Sequence, residues 1–307
     1  MVPGDFFQHI LRGPREDLYT RLADTLVGER FSHGEDLREA ENTFHQFYRG
    51  MIRQLQEQSP DALPADLLLW RQDLRSLKNY IKRRYLEVDV SEVQTRYDSE
   101  QWDRLWEDLT VDLPPIFGRV LDRARDKVQA TPEQPQLFDA AVDSAVLVEL
   151  RRAAERIGSE WIDEYWERLD AVRGVEFLLR GRALGLDEET LDLLLADRSQ
   201  AEMFRTLQES PDEEWPRILG VFLDGLDAGE MAGAEGTERI RAFVHAGDRW
   251  VVDHVRVGRF VPFGPERVFA CMVGLETEAY NMGVAVVGKA NDVDAEQLSE
   301  HLRPCYV

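Results

Sequence analysis

Cysteine is scarce in this sequence: Cys271 and Cys305 are the only two in 307 residues. Two cannot build a disulfide framework, and neither has the company a zinc site needs. Free thiols in a cytosolic setting are the simplest expectation. Long hydrophobic runs are missing as well. Leu67 to Trp70 sits between Asp66 and Arg71, Ala145 to Val148 is followed by Glu149, and the longest, Ala279 to Gly288, contains Asn281. None approaches the roughly 20 apolar residues that a membrane helix requires, so direct membrane insertion is not expected. The opening residues carry no basic n-region and no apolar h-region, which argues against secretion. Positive charge is in deficit: 37 Lys and Arg stand against 59 Asp and Glu, a formal charge of −22. Neutralising phosphates needs the opposite surplus, so a nucleic-acid partner is excluded. Adsorption to an anionic bilayer is disfavoured for the same reason. A basic partner surface and a salty cytoplasm both accommodate such acidity.

Alternating β-branched runs are few. The best strand candidate, Trp250 to Phe263, is interrupted by Gly258 and Pro262, which leaves residues 245–263 ambiguous. Elsewhere the apolar residues recur at three- and four-residue spacing. Helices are expected over Glu16–Val27, Glu35–Glu57, Ala65–Leu86, Ser99–Leu109 and Pro115–Val128, then over Gln136–Ile157, Ser159–Leu184, Glu188–Leu195 and Glu266–Lys289. The fold class is all-α. With 43% hydrophobic residues, the chain can bury a large core and hold two or three domains.

A weak internal repeat organises it. Asp73–Val93, Ala171–Leu191 and Glu278–Leu298 can be laid on one another, about a hundred residues apart. Each carries apolar residues at offsets one, four and eight: Leu74, Leu77, Ile81; Val172, Val175, Leu179; Ala279, Met282, Val286. Each has a basic residue at offset eleven: Arg84, Arg182 and Lys289. Asp89, Asp187 and Asp294 then share one offset and are read as helix N-caps. Glu92 and Gln297 would complete capping boxes, Thr190 would not, and Val88–Val93, Leu186–Leu191 and Val293–Leu298 match hydrophobic staples. The period is too long for a solenoid, so three helical bundles are expected at 1–112, 113–210 and 211–307, with breaks near Leu109–Pro115 and Gln208–Glu214. The basic triplet favours the negative end of a helix dipole; pairing with carboxylates between bundles is the functional alternative.

Several motifs tempt and fail. Gly283 to Ala290 nearly spells a P-loop, but Ala290 lacks the hydroxyl that binds Mg²⁺. Asp163-Glu164-Tyr165-Trp166-Glu167 resembles the acidic Mg²⁺ motif of class I terpene synthases, with Asn291-Asp292 as the start of a second motif. Ala295 and Ser299 stand where that second motif needs Ser or Thr and Glu, so a metal would be held poorly. Asp292-Val293-Asp294 lacks the turn glycine of an EF-hand. The histidines show no paired spacing, and no nucleophile elbow occurs. No catalytic, cofactor or metal residue is assigned.

In the third unit, Gly264-Pro265-Glu266-Arg267-Val268-Phe269-Ala270, Glu276-Thr277-Glu278, Val287-Gly288-Lys289 and the closing Leu302-Arg303-Pro304-Cys305-Tyr306-Val307 resemble the last domain of the V-type ATPase C-subunit family. Asp73-Leu74-Arg75-Ser76-Leu77-Lys78 and Leu179-Arg180-Gly181-Arg182-Ala183-Leu184-Gly185-Leu186 resemble the matching places of that family's first two domains. Ser76 and Gly174 replace asparagines that Asn281 keeps, and Ala171 replaces an acid. The resemblance implies three bundles around a pseudo-threefold axis, shaped like a funnel. It further implies a non-catalytic rotor part, in single copy and monomeric alone, on the cytoplasmic face of the membrane as a peripheral component. Its expected partners are the central-shaft subunits D and F and the membrane rotor ring, in ATP-linked H⁺ or Na⁺ transport. Arg84, Arg182 and Lys289 would then lie between bundles or at the shaft seat. The alternatives are a Mg²⁺-dependent prenyl-diphosphate enzyme and a generic helical scaffold.

Overall fold

The computed structural model describes residues 1–2, 4–30, 36–37, 40–86, 97–107, 111–130, 135–195 and 198–306. These residues form α-helices and short 3₁₀ turns, with no strand among them. In chain order the helices are α1 (Gly4–Arg12), α2 (Leu18–Ala23), α3 (Ala40–Gln58), α4 (Leu63–Leu86), α5 (Ser99–Trp106), α6 (Pro115–Ala130), α7 (Pro135–Ala154) and α8 (Glu160–Ala183). Then follow α9 (Glu188–Leu195), α10 (Ala201–Glu209), α11 (Trp215–Phe222), α12 (Gly236–Gly258), α13 (Pro265–Met282), α14 (Gly288–Ala290) and α15 (Ala295–His301). A π-helical turn, Gly283–Val287, carries α13 into α14 without a break. The near-P-loop therefore lies inside a helix and lacks the strand-to-loop geometry that cradles phosphate.

The chain divides into two compact units, residues 1–65 with 251–307 and residues 66–250. In the first, α3 lies along α13. Phe44, Tyr48 and Ile52, each four residues from the last, point into the core. α13 is buried on nearly every side, from Phe269 to Met282. In the second unit α6, α7 and α8 pack in succession. α8 takes the central place, with Ile162, Tyr165, Trp166, Val172, Val175 and Leu178 all buried.

The ambiguous segment is helical: α12 runs through Gly258, and no strand forms over Trp250–Phe263. Ala246, Trp250, Val251 and Val255 are buried at helical spacing, and that packing outweighs the strand preference of the valines. α12 approaches α8 closely at Gly247, where an added Cβ would stand 2.7 Å from Val172 Cγ1. Two expected N-caps are in place. Asp187 accepts from Thr190 N at 2.8 Å, and Asp294 from Glu296 N at 2.8 Å. Those bonds hold the Asp187 carboxyl below the usual range. The third expected cap, Asp89, lies outside the described residues with its neighbours Val88, Glu92 and Val93.

Candidate functional site

The strongest recurrent arrangement is a clamp in which a long buried helix grips a short helix at both ends. In the second unit the gripping helix is α8 and the short helix is α10. Asp170 is fully buried, and its Oδ2 accepts from the backbone N–H of Ser199 at 3.2 Å and from the Ser199 hydroxyl at 3.1 Å. Ser199 lies two residues ahead of α10. Arg198 completes this end, donating to Asp170 Oδ1 at 2.8 Å. Three turns further along α8, Arg182 reaches the other end of α10. Its guanidinium donates to the carbonyls of Leu207 at 3.1 Å, Gln208, and Ser210 at 3.3 Å. It also pairs with Asp212 at 2.5 Å and lies 4.9 Å over the Trp215 ring. Arg239 holds the second oxygen of Asp212 at 2.5 Å. An acid at the amino end and a base at the carboxyl end complement the dipole of α10 at both termini.

The first unit repeats the device. Glu278 of α13 is 8% exposed, and its Oε2 accepts from the backbone N–H of Val2 at 2.8 Å. Val2 stands two residues ahead of α1, as Ser199 does ahead of α10. The other oxygen accepts from the Tyr48 hydroxyl at 2.5 Å. Burial, then the adjacent carboxylate, raises the phenol well above its ordinary pKa, so Tyr48 stays a donor. At the far end, Lys289 donates to the Leu11 carbonyl in the last turn of α1, at 2.5 Å. The two short helices bury like residues at like places: Phe7 and Ile10 in α1, Phe204 and Leu207 in α10.

Local geometry after each gripping helix matches too. Leu186 N donates to Gly181 O at 2.9 Å, and Val293 N to Gly288 O at 3.0 Å. A Cβ on Gly181 would stand 2.6 Å from Leu191, and one on Gly288 only 2.3 Å from Leu298. The capped helices α9 and α15 therefore seat their first leucine on a glycine of the preceding helix.

On α4, Asp73 is fully buried, and Arg84 reaches the last turn of α5 through side chains. It stands 3.5 Å from Asp103 and 4.0 Å from Glu107. The carbonyl at the end of α5, Trp106 O, is taken by Arg125. Asp98 and Gln101 form a full capping box at the start of this helix, a cap that the repeat pattern does not mark.

Arg182 and Lys289 thus share a task as fasteners of short helices, whereas Arg84 is half-exposed and meets only carboxylates near the end of α5. The acidic half of the clamp escaped the repeat alignment because Asp170 sits one position ahead of Ala171. Gly174 also has its reason: an added Cβ would lie 2.2 Å from Phe204 Cζ of α10. Asn281, at the same repeat position, instead donates to Arg303 O and accepts from Arg303 N, each at 2.9 Å, which ties down the closing segment.

The acidic stretch Asp163 to Glu167 turns largely inward or into ion pairs. Tyr165 and Trp166 are buried in the core, and Glu164 pairs with Arg168 at 2.6 Å. Burial, then Glu155 and Glu160, raises the Asp163 carboxyl, which weakens it as a metal ligand. Asp292 is paired with Arg15 at 2.8 Å. Among the described residues no group of three or more His, Cys, Asp or Glu side chains is placed to hold a metal ion.

The repeated polar groups fasten the chain's own helices to one another, a structural task. Residues 16–301 match the family of the ATP synthase (C/AC39) subunit, and the chain belongs to that family. It is a subunit of a V-type ATP synthase complex, in a family whose members are non-catalytic. No curated protein matches the chain. No described helix is long and apolar enough to cross a membrane.

Proposed function

We propose that this chain couples the central shaft, subunits D and F, to the membrane rotor ring on the cytoplasmic face, passing rotation along in ATP-linked H⁺ or Na⁺ transport. The observation that carries this reading is the repeated clamp. Each long helix reaches a short one that follows it in cyclic order: α4 the end of α5 through Arg84, α8 both ends of α10, and α13 with α14 both ends of α1. That order supports three similar bundles closed around a pseudo-threefold axis into a funnel, with the last joint formed by the first helix of the chain. The division at 1–112, 113–210 and 211–307 keeps α5 with α4 and α10 with α8, and joins α1 of the first bundle to α13 of the third. Close-packed joints of this kind resist deformation, which suits a part that transmits torque. Arg84, Arg182 and Lys289 serve the stiffness of the part, and no bond to a nucleotide or ion is required of them.

Deleting the chain from the complex is the direct test. ATP hydrolysis by the soluble head is expected to continue while ion pumping by membrane vesicles stops. Normal pumping by vesicles that lack the chain would end this reading.

A further inference from the structure

After α15 the chain returns along α13 as a segment without helix, Leu302 to Tyr306. Side chains hold its backbone. Asn281, buried in α13, donates to Arg303 O and accepts from Arg303 N, each at 2.9 Å. Arg256 of α12 donates to Cys305 O at 2.9 Å, and Arg259 donates to Tyr306 O at 3.4 Å. The Arg303 guanidinium lies 3.9 Å over the Tyr280 ring. Among the described residues no backbone–backbone bond holds 303–306. The same segment meets the first residues of the chain. Tyr306 and Met1 share a notch at Gly274, where an added Cβ would stand 2.8 Å from both Tyr306 Cγ and Met1 Sδ. A Cβ on Gly4, the first residue of α1, would stand 3.6 Å from the Cβ of Cys305. Val2 and Phe7 line one small cavity together with Glu278, Asn281 and Cys305. All of these residues lie within the first compact unit.

We infer that residues 302–306 are a strap that gates α1: the amino end of that helix leaves α13 only when the strap lifts. α1 buries Phe7, Ile10 and Leu11 and is fastened at both ends, by Glu278 and by Lys289. The strap has no helical ladder of its own and rests on a few side-chain bonds, the kind of segment that opens locally at low free energy. Met1, Gly4 and the strap share contacts, so lifting the strap removes one wall of the seat of α1. By linkage, whatever hold the strap adds to α1, α1 adds to the strap. The joint between the start and the end of the chain thus has a release point separate from the clamp bonds. This device goes beyond the coupler reading and does not rest on it.

The test follows hydrogen exchange in the full chain, with peptides that report α1, the strap and α8. Arg256→Met deletes the donors to Cys305 O. Exchange at the amides of Gln8 to Arg12 is expected to quicken at least fivefold, with α8 unchanged. The converse lock is Gly4→Cys in a Cys271→Ser background, which leaves Cys305 as the only other thiol. The spacing of 3.6 Å falls in the range of about 3.5–4.5 Å between the Cβ atoms of a disulfide. Oxidised glutathione should therefore join the new thiol to Cys305 and slow exchange in α1 at least fivefold, and dithiothreitol should reverse this. Combined with Arg256→Met, the disulfide should cancel the effect of that substitution. Faster exchange in the strap with α1 unchanged would show that the two open independently and overturns the inference. Failure of the disulfide to form overturns it as well. Should Arg256→Met also strip protection from α8, the disulfide decides alone: unchanged exchange in α1 on oxidation overturns the inference.

Discussion

At the scale of single residues, Gly174 shows how packing decides which side chain a helix can carry. Alanine in a helix is favoured over glycine by about 1 kcal/mol. Here the methyl would collide with the edge of the Phe204 ring, which is 1% exposed. Forcing extra volume into a filled core costs about 1–3 kcal/mol, so the collision wins. Gly174→Ala is expected to lower the urea midpoint rather than raise it; a rise would mean that Phe204 yields easily. Glu149 gives a pH-dependent case. Its side chain is 2% exposed beneath Arg119 at 2.7 Å, with Arg123 at 3.2 Å and Arg152 at 3.1 Å. Burial pushes its carboxyl up, but the bond from Arg119 and the charges of all three arginines outweigh that and hold the pKa below the ordinary value. A lowered native pKa stabilises the fold above the unfolded-state pKa, and the benefit is lost as pH falls through the native value. Glu149→Gln should therefore cost about 1–3 kcal/mol near neutral pH. In acid its unfolding midpoint should converge with that of wild type. A gap that persists into strong acid would point to lost packing instead.

At the scale of elements, the clamp makes a sharper claim than any pair of contacts. α10 has nine residues, too few for a helix to hold its shape unaided in water. Its end carbonyls rely on Arg182, which no neutral side chain replaces. Arg182→Met keeps most of the stem but deletes every donor, so the carbonyls of Gln208 and Ser210 lose its bonds and Leu207 O keeps the Ser210 N–H. A loss of about 2–4 kcal/mol is expected. Hydrogen exchange should rise in α10 first, with the amides of α8 still protected. Equal loss of protection in both helices would show that Arg182 serves the whole unit rather than this joint. The sequence carried part of this element-level picture. Arg84, Arg182 and Lys289 stood out by their common offset, as did the caps at Asp187 and Asp294. Of the short helices, α9 is among those expected from the sequence, whereas α1 and α10 are not. Their shared pattern of an acid followed two residues later by a buried aromatic and three further on by an aliphatic was present, at Asp5, Phe7 and Ile10 and at Glu202, Phe204 and Leu207.

At the scale of the whole molecule, α1 ties the start of the chain to its end. It belongs to the same compact unit as α13, α14 and α15, although almost the whole chain separates them in sequence. Lys289 at its carboxyl end and Glu278 at its amino end hold it there. Lys289→Met is expected to loosen α1, and limited proteolysis should then cut after Arg12 or Arg15 sooner than in wild type. In the assembled complex the same substitution should leave ATP hydrolysis in place and reduce the ions moved per ATP, because a loosened joint absorbs motion that a stiff one passes on. Wild-type stoichiometry in that variant would mean that this joint carries no torque.

The amino-acid sequence by itself determined the helical class, the family and the repeated basic positions, because periodicity and short motifs are local properties of a chain. It also determined what the chain lacks, from membrane-length apolar runs to a complete nucleotide or metal motif. Only the tertiary structure decided what the basic residues hold, that Asp170 supplies the acid missing at Ala171, and that residues 245–258 are helical. Each of those outcomes depends on a partner far along the chain: α10 for Arg182, Ser199 for Asp170, α8 for α12. Side-chain packing and the pairing of buried charge are settled by neighbours in space, and spacing along a sequence does not specify them.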